Sequence, residues 1–557
     1  MEIPKPWLKS YDPGVPATLH PYPQTTLPAV VAETARLRPN HPALMFKGNT
    51  ISYGEMERQA TAFAAALVAN GVKKGDRVAI LMANVPQFVI AELGIWKAGG
   101  IISSINPLYT GPELEHAINE CGAEVMVVMT MFYDKVKAMQ PKTKLRTIIA
   151  ASIKEYLPGM LKVLFTLLKE KKDGHKITLK SGDLWFQDLL KLYANAPAPK
   201  VTIKPEDPAI ILFTGGTTGL SKAALGTHHA LVMTGLQVRT WFGPDVMEEW
   251  NDVFLAVLPL FHVFNAVGLQ SVAFMGRSPM SLIPNPRDID DVLATIEKTK
   301  PTFFTSVPTL FIALLKHPKV AAGKADLSSI KLCISGAAAL LSQTKIDFEA
   351  ATGGRIVEGY ALTESMMAVT AGPAKGAYKV GSVGMPLPDV LAKIVDADGT
   401  TLMPIGEVGE ICLQAPQLMQ GYWERPDETA KMIVDGWLVT GDLGYLDEDG
   451  YLFIVDRKKD VIKPGGFQVW PREVEEVISK HPAVMEVGVA GIPDDYQGEA
   501  VKAWVVLKEG QTATAEEIRT FCRESLTGYK VPKFVDFRTE LPKSAVGKVL
   551  RRELVKL

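Results

Sequence analysis

An aliphatic run, Ala209-Ile210-Ile211-Leu212, passes directly into Phe213-Thr214-Gly215-Gly216-Thr217-Thr218-Gly219-Leu220-Ser221-Lys222. The run reads as a buried strand. The segment after it is chemically different. Its glycines let the backbone come close to a ligand and turn N–H groups toward an anion. The hydroxyls add donors, and Lys222 adds a positive charge. A flexible turn also uses glycine, but the order of strand, glycines, hydroxyls and lysine favours a phosphate cradle. It is not a Walker A loop, because the Gly-Lys-Ser/Thr ending is absent.

The chain around this loop has 557 residues, more than one hydrophobic core serves, so at least two domains are expected. It is 47% hydrophobic and 22% charged with a net charge of -1, a globular composition with no global pull toward nucleic acid. The four cysteines are far apart and read as free thiols in a reducing compartment. The opening Met1–Pro6 lacks the basic flank and apolar core of a secretory leader, and no apolar stretch is long enough to cross a bilayer. A cytoplasmic protein is expected. The cluster from Leu157 to Leu168, followed by Lys169-Glu170-Lys171-Lys172, reads in two ways. It is an interfacial helix with a basic end, giving peripheral contact with the inner membrane surface, or a helix packed on the protein's own core; the second is preferred.

Helix and strand patterns alternate from about residue 28 to 350, with strands at Ala43–Phe46, Val78–Met82 and Val125–Met129 and helices through Met56–Leu67 and Phe88–Ala98. Such alternation predicts α/β layers with largely parallel sheets. After about 375 the strands become short and turn-rich, among them Gly381–Gly384, Val408–Leu413 and Gly450–Val455, which predicts an antiparallel or barrel-like subdomain. The charged cluster Asp456-Arg457-Lys458-Lys459-Asp460 reads as a hinge. Beyond it a small α+β domain is expected, with helices at 472–479 and 516–526 and strands at 484–489 and 501–507. The division is 1–458 and 459–557.

Three further clusters can serve a nucleotide. Glu358-Gly359-Tyr360-Ala361-Leu362-Thr363-Glu364 puts a hydroxyl and carboxylates beside an expected Gly turn. Thr440-Gly441-Asp442 offers a carboxylate, also at an expected turn, suited to ribose hydroxyls. Leu541-Pro542-Lys543-Ser544-Ala545-Val546-Gly547-Lys548 ends a Gly-containing loop in lysine. Each alone is a common surface feature. Together, over nearly the whole chain, they resemble the adenylate-forming superfamily of acyl- and aryl-CoA synthetases, firefly luciferase and peptide-synthetase adenylation domains. Asn106-Pro107-Leu108-Tyr109-Thr110, Asn285-Pro286-Arg287-Asp288-Ile289 and Leu526–Lys533 are most similar to bacterial long-chain fatty-acid–CoA ligases.

The resemblance implies two half-reactions. A carboxylate attacks the α-phosphorus of ATP to give an acyl-adenylate and pyrophosphate; the thiol of coenzyme A then displaces AMP. It implies that Thr214, Gly215, Gly216, Thr217, Thr218 and Lys222 hold phosphates. Gly336, Ala337, Glu358, Gly359, Tyr360 and Thr363 flank the nucleotide, and Asp442 and Arg457 take the ribose. Glu364, with Thr217 nearby, would bind Mg2+. Lys548 would bridge the substrate carboxylate and α-phosphate, and His262 would sit near the carboxylate path. Lys459 would be the pivot of the small domain, and Lys463, Gly465 and Gly466 would line the coenzyme A passage.

Ala361, Ala223 and Ala339 stand where relatives often carry glycine, glycine and proline, which leaves substrate preference open. The expected acyl wall, 262–268 with 306–308 and 336–338, is small and apolar. The reading is therefore a medium- to long-chain fatty-acid–CoA ligase. An aryl- or short-acid ligase, a carrier-protein ligase and a non-catalytic acyl- or nucleotide-binding module are the alternatives. The oligomeric state, a dimer included, is not set by these residues.

Overall fold

The computed structural model describes residues 3–214, 221–338, 340–396, 398–544 and 547–557. Two large sheets dominate. In the eight-stranded sheet, the strand Pro208–Phe213 lies beside Ile101–Ser104, followed by Arg77–Leu81, Val125–Met129, Thr147–Ala151 and Leu184–Trp185, all parallel. Ala223–Thr227 and Gly421–Tyr422 extend its other side antiparallel. Arg77–Leu81 shows why such strands read as unbroken apolar runs. Val78 and Ile80 face one core cluster, while Ala79 and Leu81 face another on the opposite side. A strand covered on both faces needs apolar residues at every position. The Trp96 indole donates to the Ala209 carbonyl at 2.9 Å, fixing the strand that leads to the Gly/Thr loop.

The nine-stranded sheet is parallel through its centre. Phe303–Ser306, Leu332–Ser335 and Arg355–Leu362 run side by side in one direction. Their carboxyl ends open together onto 307–309, 336–338 and 363–364, where open α/β sheets place ligands. A third, antiparallel sheet contains Leu391–Val395, Gly409–Gln414, Trp437–Leu446 and Leu452–Arg457. The expected strand at Gly381–Gly384 is instead a turn with one isolated bridge, Ser382 to Phe453, because its glycines supply positive φ rather than an extended backbone. The expected turns at Glu358–Tyr360 and Thr440–Asp442 are instead inside strands, Arg355–Leu362 and Trp437–Leu446. There Gly359 lies close to the Thr370 carbonyl of the neighbouring strand, and Gly441 supplies a φ of +71° within its strand.

After the hinge, Val484–Asp494, Gly498–Leu507 and Phe534–Arg538 form a three-stranded sheet with its own core, covered by Pro471–Ser479 and Ala515–Arg523. A capping box between Thr514 and Glu517 starts the latter helix.

The helix Gly159–Leu168 departs from expectation. None of its residues is buried. The preferred packing on the protein's own core is therefore not what the structure has; only Phe165, stacked edge-on against His175, and Lys162, paired with Glu155 at 2.6 Å, turn toward the body.

Candidate active site

The chain ends of the two large sheets and the C-terminal loop meet at one cleft. Asp442 sits at its floor, on the strand Trp437–Leu446 opposite Arg457. Its Oδ2 accepts from the Tyr360 hydroxyl at 2.5 Å, and its Oδ1 pairs with Arg457 Nε at 3.0 Å. The Asp442 N–H in turn donates to Thr440 Oγ1 at 3.1 Å. A carboxylate has about four acceptor positions, so two partners leave capacity for two ligand hydroxyls. Burial and the adjacent Asp442 push the Tyr360 phenol well above its usual range, so it remains a donor. Burial opposes the Arg457 charge, but Asp442, Tyr360, Asp460 and Glu364 outweigh it and keep the guanidinium protonated.

Glu364 follows the strand Arg355–Leu362. Its Oε1 accepts from the Tyr422 hydroxyl at 2.7 Å, and burial with this carboxylate raises the Tyr422 phenol. Lys222 lies over the Tyr422 ring, 5.0 Å from its centroid, and pairs with Glu428 at 2.5 Å. The stem of the phosphate loop is closed by the Thr214 N–H, which donates to the Lys222 carbonyl at 2.9 Å. Gly215, Gly216, Thr217 and Thr218 lie outside the described residues, as does Ala339.

Glu358 does not present its carboxyl to the cleft. It is buried, accepting from the Tyr378 hydroxyl at 3.1 Å and the Leu340 N–H at 3.3 Å, and burial raises it above the usual carboxylate range. Backbone strain collects nearby: Ala337 has φ +67°, and Met366 and Met367 have φ +49° and +101°. Non-glycine residues in this region cluster at functional sites.

The expected acyl wall comes together. The Gly336 N–H donates to the Ser306 carbonyl at 3.3 Å. A Cβ on Gly336 would stand 3.0 Å from the Phe264 ring, and one on Gly268 would stand 2.7 Å from Met367 Cε. Phe264–Leu269 is a π-helical segment, a form common at functional sites. His262 precedes it; burial lowers its imidazole to about 4, so it is neutral at physiological pH.

Lys548 arrives from the small domain. The loop carrying it is closed by the Ser544 N–H, which donates to the Lys548 carbonyl at 2.8 Å. It seats so closely that a Cβ on Gly547 would lie 2.8 Å from Thr309 Oγ1. Lys548 keeps solvent exposure, yet protein atoms crowd around its ammonium. That crowding, with Arg457 second, lowers its ammonium to about 8, while Asp442 opposes the shift. Burial and Arg457 likewise lower Lys459.

The loop expected to line the coenzyme A passage lies away from this cleft. Lys463, Gly465 and Gly466 are exposed, with the glycines at φ +59° and +85°. The Gly465 N–H donates to the Gln497 carbonyl at 2.8 Å, and Phe467 stacks on Tyr529 beside the loop.

Sequence reasoning missed Tyr422, Glu428 and Arg551. Arg551 pairs with Asp456 at 2.8 Å, which ties it to the end of the strand Leu452–Arg457, and with Asp460 at 3.3 Å and Glu475 at 2.8 Å. Arg425-Pro426-Asp427-Glu428 carries the signal of a helix start, proline followed by acidic residues. Nothing local joins Glu428 to a lysine 206 positions away.

Residues 31–423 match the AMP-binding enzyme family and residues 473–548 the AMP-binding enzyme C-terminal domain. The chain belongs to this family of AMP-binding enzymes. Among its relatives, a long-chain-fatty-acid–CoA ligase of Bacillus subtilis (strain 168) is 40% identical over 100% of this chain and 98% of its own length. One of Escherichia coli O157:H7 is 39% identical over 99% and 98%. ATP-bound MatB from Rhodopseudomonas palustris superposes with a TM-score of 0.81 at 30% identity, covering 96% of this chain and 99% of that one. The apo form of MatB gives 0.73 at the same coverage. The anthranilate CoA ligase AuaEII with anthranoyl-AMP gives 0.84 at 28% identity, over 96% and 97%.

Proposed function

We propose that this protein is an ATP-dependent, AMP-forming fatty-acid–CoA ligase acting on medium- to long-chain acids in the cytoplasm. The observation that carries the reading is the position of Lys548. A cation from the small domain stands in the same cleft as the Asp442–Tyr360–Arg457 group of the large one.

Joining a carboxylate to a triphosphate brings like charges together, so fixed donors and cations supply most of the rate. Asp442 holds ribose hydroxyls, its orientation fixed by Tyr360 and Arg457. The 214–222 loop and Lys222 take the departing phosphates. Lys548 offsets the charge that builds between the acid and the α-phosphate. The residues fit a magnesium ion: Glu364 uses Oε1 for Tyr422, which leaves Oε2 for a hard cation. Among the described residues no cluster of three His, Cys, Asp or Glu forms a dedicated metal cage, which suits an ion carried mainly by phosphates. Bound there, magnesium would neutralise phosphate charge.

Thioester formation then requires the small domain, 459–557, to turn about Lys459, withdrawing Lys548 and bringing in the Lys463–Gly466 loop. The apolar wall of Phe264, Gly268 and Met367 favours alkyl chains, at about 0.8 kcal/mol per buried CH₂.

Pyrophosphate, AMP and thioester should be followed across straight-chain and aryl acids, with and without coenzyme A. Coenzyme A-dependent turnover peaking at an alkyl chain of eight or more carbons is expected. A peak at aryl or short acids would overturn the substrate, pyrophosphate without thioester the acceptor, and no pyrophosphate at all the enzyme reading.

A further inference from the structure

We infer that the helix Gly159–Leu168 and the lysines after it form a docking surface for an anionic phospholipid bilayer. The helix is amphipathic in the reverse sense. Met160, Leu161, Val163, Leu164, Leu167 and Leu168 are 42–78% exposed. At 100° per residue they cover an outward arc of about 160°, while Lys162 and Phe165 point to the body. An ordinary surface helix turns its apolar stripe inward. An outward stripe of this size calls for an apolar occupant.

Charge identifies the occupant. Lys154 pairs with Glu170 and Lys162 with Glu155, so these cations are already matched. Lys169, Lys171, Lys172, Lys176 and Lys180 follow the helix, all exposed, and none has an ion pair among the described residues. The only acid exposed among them is Asp173. An apolar stripe that continues into a lysine cluster matches a bilayer, with an apolar interior beneath an anionic face. No helix among the described residues is long and apolar enough to cross a membrane, so this contact lies in the interface plane. The base of the helix is held to the large domain. The Asn49 side chain donates to the Tyr156 carbonyl at 3.1 Å, and buried His175 meets Thr130 at 2.7 Å. Docking therefore needs no unfolding. Its use rests on the fatty-acid reading above, since long alkyl acids partition into bilayers and would be taken up there.

The test is co-sedimentation of the full-length protein with vesicles of phosphatidylcholine alone or with 30% phosphatidylglycerol, a composition of about one anionic lipid in three. Binding to the anionic vesicles, weakened by salt, is expected. The double variant Leu164→Ser/Leu167→Ser should bind at least tenfold less, and Lys171→Gln/Lys172→Gln should bind less and lose salt sensitivity. Both variants should retain full turnover of a short soluble acid, since neither touches the cleft. Equal binding to neutral vesicles, unchanged binding of the serine variant, or a wild-type dimer that the serine substitutions dissociate would each overturn the proposal. Vesicle binding by a protein that activates no acid would overturn the ligase reading and leave the docking surface standing.

Discussion

Lys548 carries a charge that is present only over part of the working pH range. Its ammonium is lowered to about 8 by the crowded cleft and Arg457, so it is protonated below that pH and neutral above it. Adenylation should therefore fall as pH rises through about 8, while the thioester half-reaction, with Lys548 withdrawn, should lack that limb. Lys548→Ala should lower pyrophosphate release by about 10²–10³, the usual cost of losing one electrostatic donor. It should also flatten the alkaline limb. A limb that persists in the variant would assign it to another group. His262, lowered to about 4 by burial, is neutral throughout this range and contributes a ring nitrogen rather than a charge. The pairing of Asp442 with Arg457 was legible only through the family resemblance, since the cluster 456–460 by itself reads as a hinge. Tyr422 was not, since its meaning comes from a partner 58 positions away.

Among elements, the junction after the strand Leu452–Arg457 sets which surface faces the cleft. Asp456 is almost fully buried and accepts from the Arg457 and Arg472 N–H groups, each at 2.8 Å, as well as from Arg551. Arg472 also donates to the Ile454 carbonyl at 2.8 Å. The Arg551–Asp456 pair and the Arg472 bonds cross from one side of residue 458 to the other and would break if the small domain turned. Removing Arg551 leaves Asp456 its two backbone donors, so the loss is that of a charge-assisted bond, about 1.5–3 kcal/mol. Arg551→Gln should lower adenylation by about 10- to 100-fold and leave thioester formation from supplied acyl-adenylate unchanged. Equal loss in both halves would show a folding defect instead. Strands such as Arg77–Leu81 were legible because double burial writes itself as continuous apolar sequence. The segments at 358–360 and 440–442 were misread because glycine marks a turn, a crowded strand (Gly359) and a strand residue of positive φ (Gly441) alike. The helix Gly159–Leu168 was misread because apolar residues predict burial only when the chain itself supplies the cover.

For the whole molecule, the proposed mechanism asks two faces of the small domain to take turns, since one cleft cannot be closed on ATP and open to a thiol at once. The structure holds the Lys548 face in place and leaves the Gly465–Gly466 loop in solvent. Gly466 has φ +85° and nothing within 4 Å of a Cβ, so a side chain there meets no obstacle in this state. Gly466→Leu should therefore adenylate at near wild-type rate, allowing about 1–2 kcal/mol of local backbone strain, and should fail to form thioester. Intact thioester formation would remove the passage from this loop.

The Lys222–Glu428 pair has a consequence for product release. In the resting protein the cradle lysine already has a counterion, so an incoming ligand gains only by what it offers beyond one carboxylate. A triphosphate offers several charges and outcompetes Glu428; AMP, left after pyrophosphate departs, offers too little at that position. On the proposed function the pair would act as a threshold: AMP would gain nothing from Lys222 and would leave. Glu428→Gln should tighten ATP binding by the full cost of the displaced pair and AMP binding by less, measurable as a fall in the ATP KM larger than the fall in the AMP inhibition constant. An ATP KM unchanged by the substitution would show that the lysine does not choose between them.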